Sequence, residues 1–316
     1  MKKLFFMLTL LAVTALPSLA QSSLVATLVH DGNISTYYSA NALKDAYNAA
    51  VDGDIITLSA GTFSATDITK RITIRGAGSE LDKNPTILLG QISISNGDGN
   101  LEQQFLMEGI RAENLRCSHL TNATFLKCEF ATENSVIGGN YSISLTNVNF
   151  IQCIISNINS AGPDIITLNN CVIDNFRSNT ATGTVIEINN CVINKVNNLA
   201  YVTCTNSFIK PYNDTYNYYP NSRLINCVVP LKVGINCENI NCKTVPYDIE
   251  PFENGYHLKA EYASEWLGND GKEIGIYGGS LPYDPTTTNP QISKFNVSSK
   301  TTADGKLSVD IEVKAE

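Results

Sequence analysis

Ile166 to Phe176, ITLNNCVIDNF, and Ile186 to Val196, IEINNCVINKV, are near-copies twenty residues apart. A unit this short cannot bury an apolar face by itself, so it must stack on others like it. The kernel is apolar, any residue, Asn, small or Cys, any residue, apolar. It recurs at Leu120–Phe125, Leu145–Phe150, Leu168–Ile173, Ile188–Ile193, Cys204–Ile209 and Leu224–Val229. Such periodicity restricts the chain to a solenoid or another stacked array.

Within the kernel the alternation of apolar residues is strand chemistry, reset at the Asn. Leu168 points inward, the chain turns at Asn170, and Cys171 and Ile173 point inward again. Asn suits a corner because it tolerates left-handed backbone and its short amide can bond nearby main chain. Coils stacked about 4.8 Å apart would align Asn122, Asn147, Asn170, Asn190, Asn206 and Asn226 in one column, each amide donating to the next carbonyl. Cys171, Cys191 and Cys227 share a core-facing kernel position with Ala123, Val148 and Ser207, which predicts mostly free, stacked thiols among the nine cysteines. Cys237 and Cys242 fall outside the kernel and are the pair most open to a bridge. Close CxxC spacings are missing and His30, His119 and His257 are far apart in sequence, a pattern that disfavours a metal site.

The first twenty residues have the pattern of a cleaved signal peptide: Lys2 and Lys3, the mainly apolar run Leu4 to Leu16, and the small-x-small Ser18-Leu19-Ala20. This predicts a secreted, periplasmic or cell-surface protein. No later stretch is apolar for the ~20 residues of a membrane helix, so no membrane insertion is expected. Without Lys2 and Lys3 the 22 basic residues become 20 against 30 acidic, a net charge near −10 that argues against nucleic acid as a partner.

In chain order, a short segment leads to a helix over about 40–50, with Ser39 as its cap and Leu43, Ala46, Tyr47 and Ala50 at helical spacing. Strands are expected at 54–58 and 72–74, with a turn at 59–62 between them, and less regular coils at 87–94 and 105–110. In one of these, Glu108 takes the Asn position. The helix would cover the open end of the stack. Past Asn226 the pattern decays, with Ile240-Asn241-Cys242 a candidate seventh rung and Trp266 a packing residue of the C-terminal cap. Residues 283–290 read as a linker by composition. Two alternating runs flank Ala303-Asp-Gly305 and predict a C-terminal strand pair within 291–316.

Ala46 to Gly78, AYNAAVDGDIITLSAGTFSATDITKRITIRGAG, resembles the N-terminal cap and first coil of the pectate-lyase-like superfamily. The Asn column is similar to that family's asparagine ladder, and Asp270 to Gly279, DGKEIGIYGG, is similar to the closing segment of many secreted bacterial members. The resemblance covers about residues 38 to 282. It implies an all-β fold, a right-handed parallel β-helix solenoid over 21–282 with an N-terminal capping helix, and it specifies fold far more than activity.

In that family, sugars bind on the outer face of the long first sheet. Here that sheet would turn Ile158, Phe176 and Val196 inward and Asn157, Asn159, Asn175, Arg177, Lys195 and Asn197 outward. Amides with two cations suit hydroxyls and a uronate carboxylate. In β-helix lyases an Arg or Lys abstracts the proton beside the carboxylate-bearing carbon while Ca²⁺ or a second cation neutralises the acid. The resemblance thus nominates Arg177 and Lys195 as catalytic, by position alone. Against catalysis, Glu129, Asp164 and Asp174 are scattered singly where calcium needs converging oxygens. The paired aspartates of the pectin hydrolases and a Gly-x-Ser-x-Gly elbow are both missing. A loop with Tyr212, Tyr216, Tyr218, Tyr219 and Arg223 interrupts the repeat and offers faces for pyranose rings. The first expectation is therefore a protein that binds extracellular polysaccharide. The alternatives are a polysaccharide lyase acting on uronate-containing glycans, with Ca²⁺ as cofactor only in that case, and a structural or adhesive surface protein.

Overall fold

The computed structural model describes residues 24–96, 102–117, 119–130, 132, 135–138, 145–160, 162–178, 183–211, 221–230, 237–246, 248–297, 300–302 and 304–314. The expected signal peptide and Tyr212, Tyr216, Tyr218 and Tyr219 lie outside these residues. The chain winds as a parallel β-helix, its strands alternating between two long sheets.

In spatial order, the first sheet runs β2 (Asn33–Tyr38), β1 (Val25–His30), β3 (Ile55–Leu58), β5 (Thr73–Arg75), β7 (Phe105–Glu108) and β9 (Leu120–Leu126). It continues with β12 (Leu145–Ile151), β14 (Ile165–Asn169), β16 (Val185–Asn189), β18 (Val202–Thr205), β20 (Ser222–Ile225) and β22 (Cys237–Ile240). The second sheet takes the strands between: β4 (Gly61–Ser64), β6 (Thr86–Ile94), β8 (Ile110–Cys117), β10 (Glu129–Phe130), β11 (Val136–Gly138) and β13 (Ile154–Ser160). It ends with β15 (Val172–Ser178), β17 (Val192–Asn198), β19 (Phe208–Pro211), β21 (Val228–Pro230) and β23 (Lys243–Val245). Apart from the antiparallel β1–β2 and β1–β3 pairs, every pairing in these sheets is parallel. Like side chains therefore sit over like. Phe125 stacks flat on Phe150, centroids 4.9 Å apart, in a dry core with Ile155, Leu168, Ile173 and Ile188.

The corner between the sheets follows the kernel's logic but not its full register. Asn170, Asn190, Asn206, Asn226 and Asn241 all take left-handed backbone, with φ between 49° and 53°. In the two preceding coils the corner residues are Lys127 and Gln152, both at φ 54°, because Phe125 and Phe150 are the partners of Leu168. Asn122 and Asn147 stand five residues earlier, at a bulge that is also left-handed, and form their own rung with a 2.8 Å amide bond. Two left-handed sites per coil made both fit one pattern. The thiol column is corrected likewise: Cys128 and Cys153, rather than Ala123 and Val148, stand with Cys171, Cys191, Ser207 and Cys227. These thiols donate to carbonyls of the coil on one side, as Cys171 does to Phe150 and Cys191 to Leu168. All nine cysteines are free, and seven are buried. Glu108 also sits one place off the corner, where Gly109 turns at φ +61°.

The corner amides do not bond mainly to one another. The segment from Trp266 to Asn289 runs back along the column and takes their hydrogen bonds. Asn206 exchanges bonds with Asn269 at 2.8 and 3.1 Å. Asn170 donates to the carbonyls of Ile276 and Gly278, both at 2.8 Å, and Gln152 donates to that of Pro282 at 2.6 Å. Lys127 reaches the Thr286 carbonyl, Glu108 accepts from the Thr288 amide at 2.8 Å, and Asn289 donates to Gly76 at 2.7 Å. Where composition suggested a linker, Thr287 and Asn289 are buried against the coils. Gly279 is required at its rung: its φ is +77° and a Cβ there would lie 2.5 Å from the Asn190 amide nitrogen.

Helix α1 (Ala42–Ala49) buries Ala42, Leu43, Ala46 and Tyr47 over the open end of the stack. Its N-cap is Asn41, and Ser39, with φ 119°, precedes it instead of capping it. The lead-in is the hairpin β1–β2 on an Asp31-Gly32 turn, and β4 is a strand where a turn was expected. The strand pair that the two alternating runs predicted forms from β24 (Gln291–Val297) and β25 (Val309–Lys314), and it is antiparallel.

Candidate functional site

The expected inward residues Ile158, Phe176 and Val196 lie on neighbouring rungs of the second sheet, the one the family resemblance counts first, and are buried. The outward residues between them form the expected band. Asn175 donates to Asn157 at 2.9 Å, and Asn159 lies opposite Arg177. Arg177 and Lys195 are both exposed on adjacent strands. Of Asn197 only the backbone is described. Arg223 stands elsewhere, on β20 of the first sheet, where it pairs with Glu238 at 3.0 Å.

Beside this band lies a cleft of about 670 Å³. It is lined by Asn194 and Lys195 of β17, Phe208 and Lys210 of β19, and the segment Ile249–Tyr256. Its existence follows from a second apolar layer. The first outward position of the sheet carries Val172, Val192, Phe208 and Val228, a column too apolar to leave wet. Leu258, Trp266, Ile274 and Ile276 cover it, and Val245 of β23 joins the same cluster. Trp266 packs near-parallel to Phe208 at 6.2 Å and stacks on Tyr262 at 4.5 Å, as its expected capping role requires. Phe252 meets Phe208 edge-on at 5.1 Å, so the segment is held on the sheet at that point and borders the cleft across from Lys195.

The arch is folded by its own chemistry. Glu253 donates its amide to the His257 carbonyl at 2.8 Å, Gly255 turns at φ +81°, and Tyr277 donates its hydroxyl to Gly255 at 2.8 Å. Tyr256 packs edge-on against Phe252 at 6.0 Å and its hydroxyl oxygen meets the Asn194 amide at 3.5 Å. Asn194 also donates to Asp174 on the next rung at 2.8 Å. Burial pushes the Tyr256 phenol above its ordinary value. Lys210 is ion-paired with Glu250. The cleft thus presents one exposed ammonium, amides, a phenol, two carboxylates and aromatic edges within one opening. Among the described residues no three His, Cys, Asp or Glu side chains converge as metal ligands.

Among the described residues Lys195 is the expected one that lines the cleft, and Asn157 and Asn175 lie on the sheet face beside it. Asn194, Lys210, Glu250, Glu253 and Tyr256 carry no signal in the sequence, because the arch and β17 are joined by tertiary packing across more than fifty residues. Comparison with protein-family models, curated proteins and solved structures gives no match.

Proposed function

We propose that this chain is an exported protein of the pectate-lyase-like kind that binds extracellular polysaccharide, with the cleft under the Ile249–Tyr256 arch as its principal subsite. The observation that supports this reading is the cleft's content: the Lys195 ammonium at its edge, with Asn194 and Tyr256 beside it and aromatic edges below. An ammonium recognises a uronate carboxylate, amides and a phenol recognise hydroxyls, and aromatic surface accepts the apolar face of a sugar ring. The band through Asn157 and Asn175 extends the polar surface along the sheet, as a chain-like ligand requires.

A second reading, a polysaccharide lyase with Lys195 as the base, is favoured by the exposure of Lys195 beside the Arg177 strand. One set of incubations separates the two. Purified protein is mixed, with and without Ca²⁺, with neutral and uronate-rich polysaccharides, and both retention and ultraviolet absorbance from unsaturated ends are followed. Retention of the uronate-rich chains without absorbance supports binding, and growing absorbance supports the lyase. Absence of both across the panel overturns the proposal.

A further inference from the structure

Among the described residues the first sheet ends at its N-terminal side on β2, an edge with no further strand beside it and the sequence Asn33-Ile34-Ser35-Thr36-Tyr37-Tyr38. Every residue of it is exposed except Tyr37, with Ile34 at 71 % and Tyr38 at 63 %. Edge strands usually carry a charge, a proline or a bulge that discourages pairing. This one has no charge and no proline, and its register against β1 is unbroken from Val25↔Tyr38 to His30↔Asn33. The opposite edge of the same sheet, β22, carries Glu238 in an ion pair with Arg223.

The register also says which groups are free. Ser39 donates its amide to the Leu24 carbonyl, so in the antiparallel ladder Asn33, Ser35 and Tyr37 turn their peptide groups toward β1. Ile34, Thr36 and Tyr38 then aim their amides and carbonyls outward. Their side chains share one face, opposite Val29, Thr27 and Val25.

We propose that β2 is a dimerisation edge whose partner is β2 of a second copy of this chain, paired antiparallel about a twofold axis through Thr36. That axis sets Thr36 against Thr36 of the other copy, and Ile34 against Tyr38 in both directions. All three are hydrogen-bonded pairs formed by the outward peptide groups. Thr–Thr and aromatic–β-branched pairs are among the favourable cross-strand neighbours. On the other face the same register sets small Ser35 against large Tyr37. The strand is therefore complementary to itself, the condition for a closed, isologous dimer. The product is one continuous sheet through two β-helices joined end to end. A head-to-tail contact between β2 and β22 would instead be a parallel, non-closing pairing and would grow into filaments.

The test uses the mature chain. Sedimentation across a concentration series should give a dimer that dissociates on dilution. Thr36→Lys, which brings two ammoniums face to face only at this axis, should leave a monomer with unchanged circular dichroism and thermal midpoint. Thr36→Cys should give a disulfide-linked dimer on mild oxidation, while Ile34→Cys, which faces Tyr38, should not. A chain monomeric at all concentrations, open-ended filaments, or a dimer that survives Thr36→Lys overturns the proposal. So does a dimer lost through Ile311→Lys on the exposed face of β25.

Discussion

Single residues carry two separable duties at the corners, a left-handed backbone and a side-chain amide that holds the returning segment. Asn170 shows both, with φ 53° and bonds to the carbonyls of Ile276 and Gly278. Asn170→Ala should cost about 1–3 kcal/mol for the orphaned carbonyls, with a further backbone cost of roughly 1–2 kcal/mol. Asn170→Gly should restore only the backbone part, and urea unfolding of both variants checks the split. His30 marks the other end. Its hydrogen bond to Asp54 at 2.8 Å, and then the charge of that group, hold its pKa above 6.5. The stability it lends is complete below pH 6.5 and is lost as pH rises through the higher folded value. His30→Gln should remove that slope from thermal midpoints measured across the range, and an unchanged slope would refute the assignment. The corner asparagines were legible in the sequence because left-handed backbone selects for Asn. Lys127 and Gln152 were not, since they hold the same conformation only with contacts from residues far along the chain.

At the scale of elements, the strands of the regular coils were readable from period and spacing, and so was the C-terminal pair. The hairpin β1–β2 was not read from the sequence, although Asp31-Gly32 between two strand-like runs is its turn signal. The docked segment from Trp266 to Asn289 was not readable, because it meets the corner side chains mainly through its own backbone carbonyls and amides, which any sequence supplies. From Leu281 onward its composition, rich in Pro and Thr, is that of an exposed connector. Its attachment predicts a local event. Gln152→Ala removes the bond to Pro282 and should raise amide exchange in the segment from Ile276 to Asn289 while the coil strands keep their protection. Equal loss of protection in both would mean that the segment and the coils unfold as one unit. The arch over the cleft belongs to the same class, held by Phe252 on Phe208 and by Tyr277 on Gly255.

For the whole molecule, the thiols report the integrity of the stack. Seven of nine cysteines are buried. Partial burial pushes the half-exposed Cys237 thiol up to about 11, which makes it a slow nucleophile at neutral pH. Native protein should therefore label at no more than Cys237 and Cys242, and denatured protein at all nine; rapid native labelling of Cys171 or Cys191 would contradict the packed column. The repeat accounts for the scaffold, while the cleft arises where the C-terminal cap covers the apolar column Val172, Val192, Phe208 and Val228 and leaves Lys195 at the margin. Binding at that margin is tested most directly by calorimetric titration of the protein with a uronate oligosaccharide, beside Lys195→Glu. Saturable binding that weakens at least about tenfold in the variant, or about 1.4 kcal/mol, is the predicted result. Binding of equal strength in both proteins would contradict it, as would no binding to either.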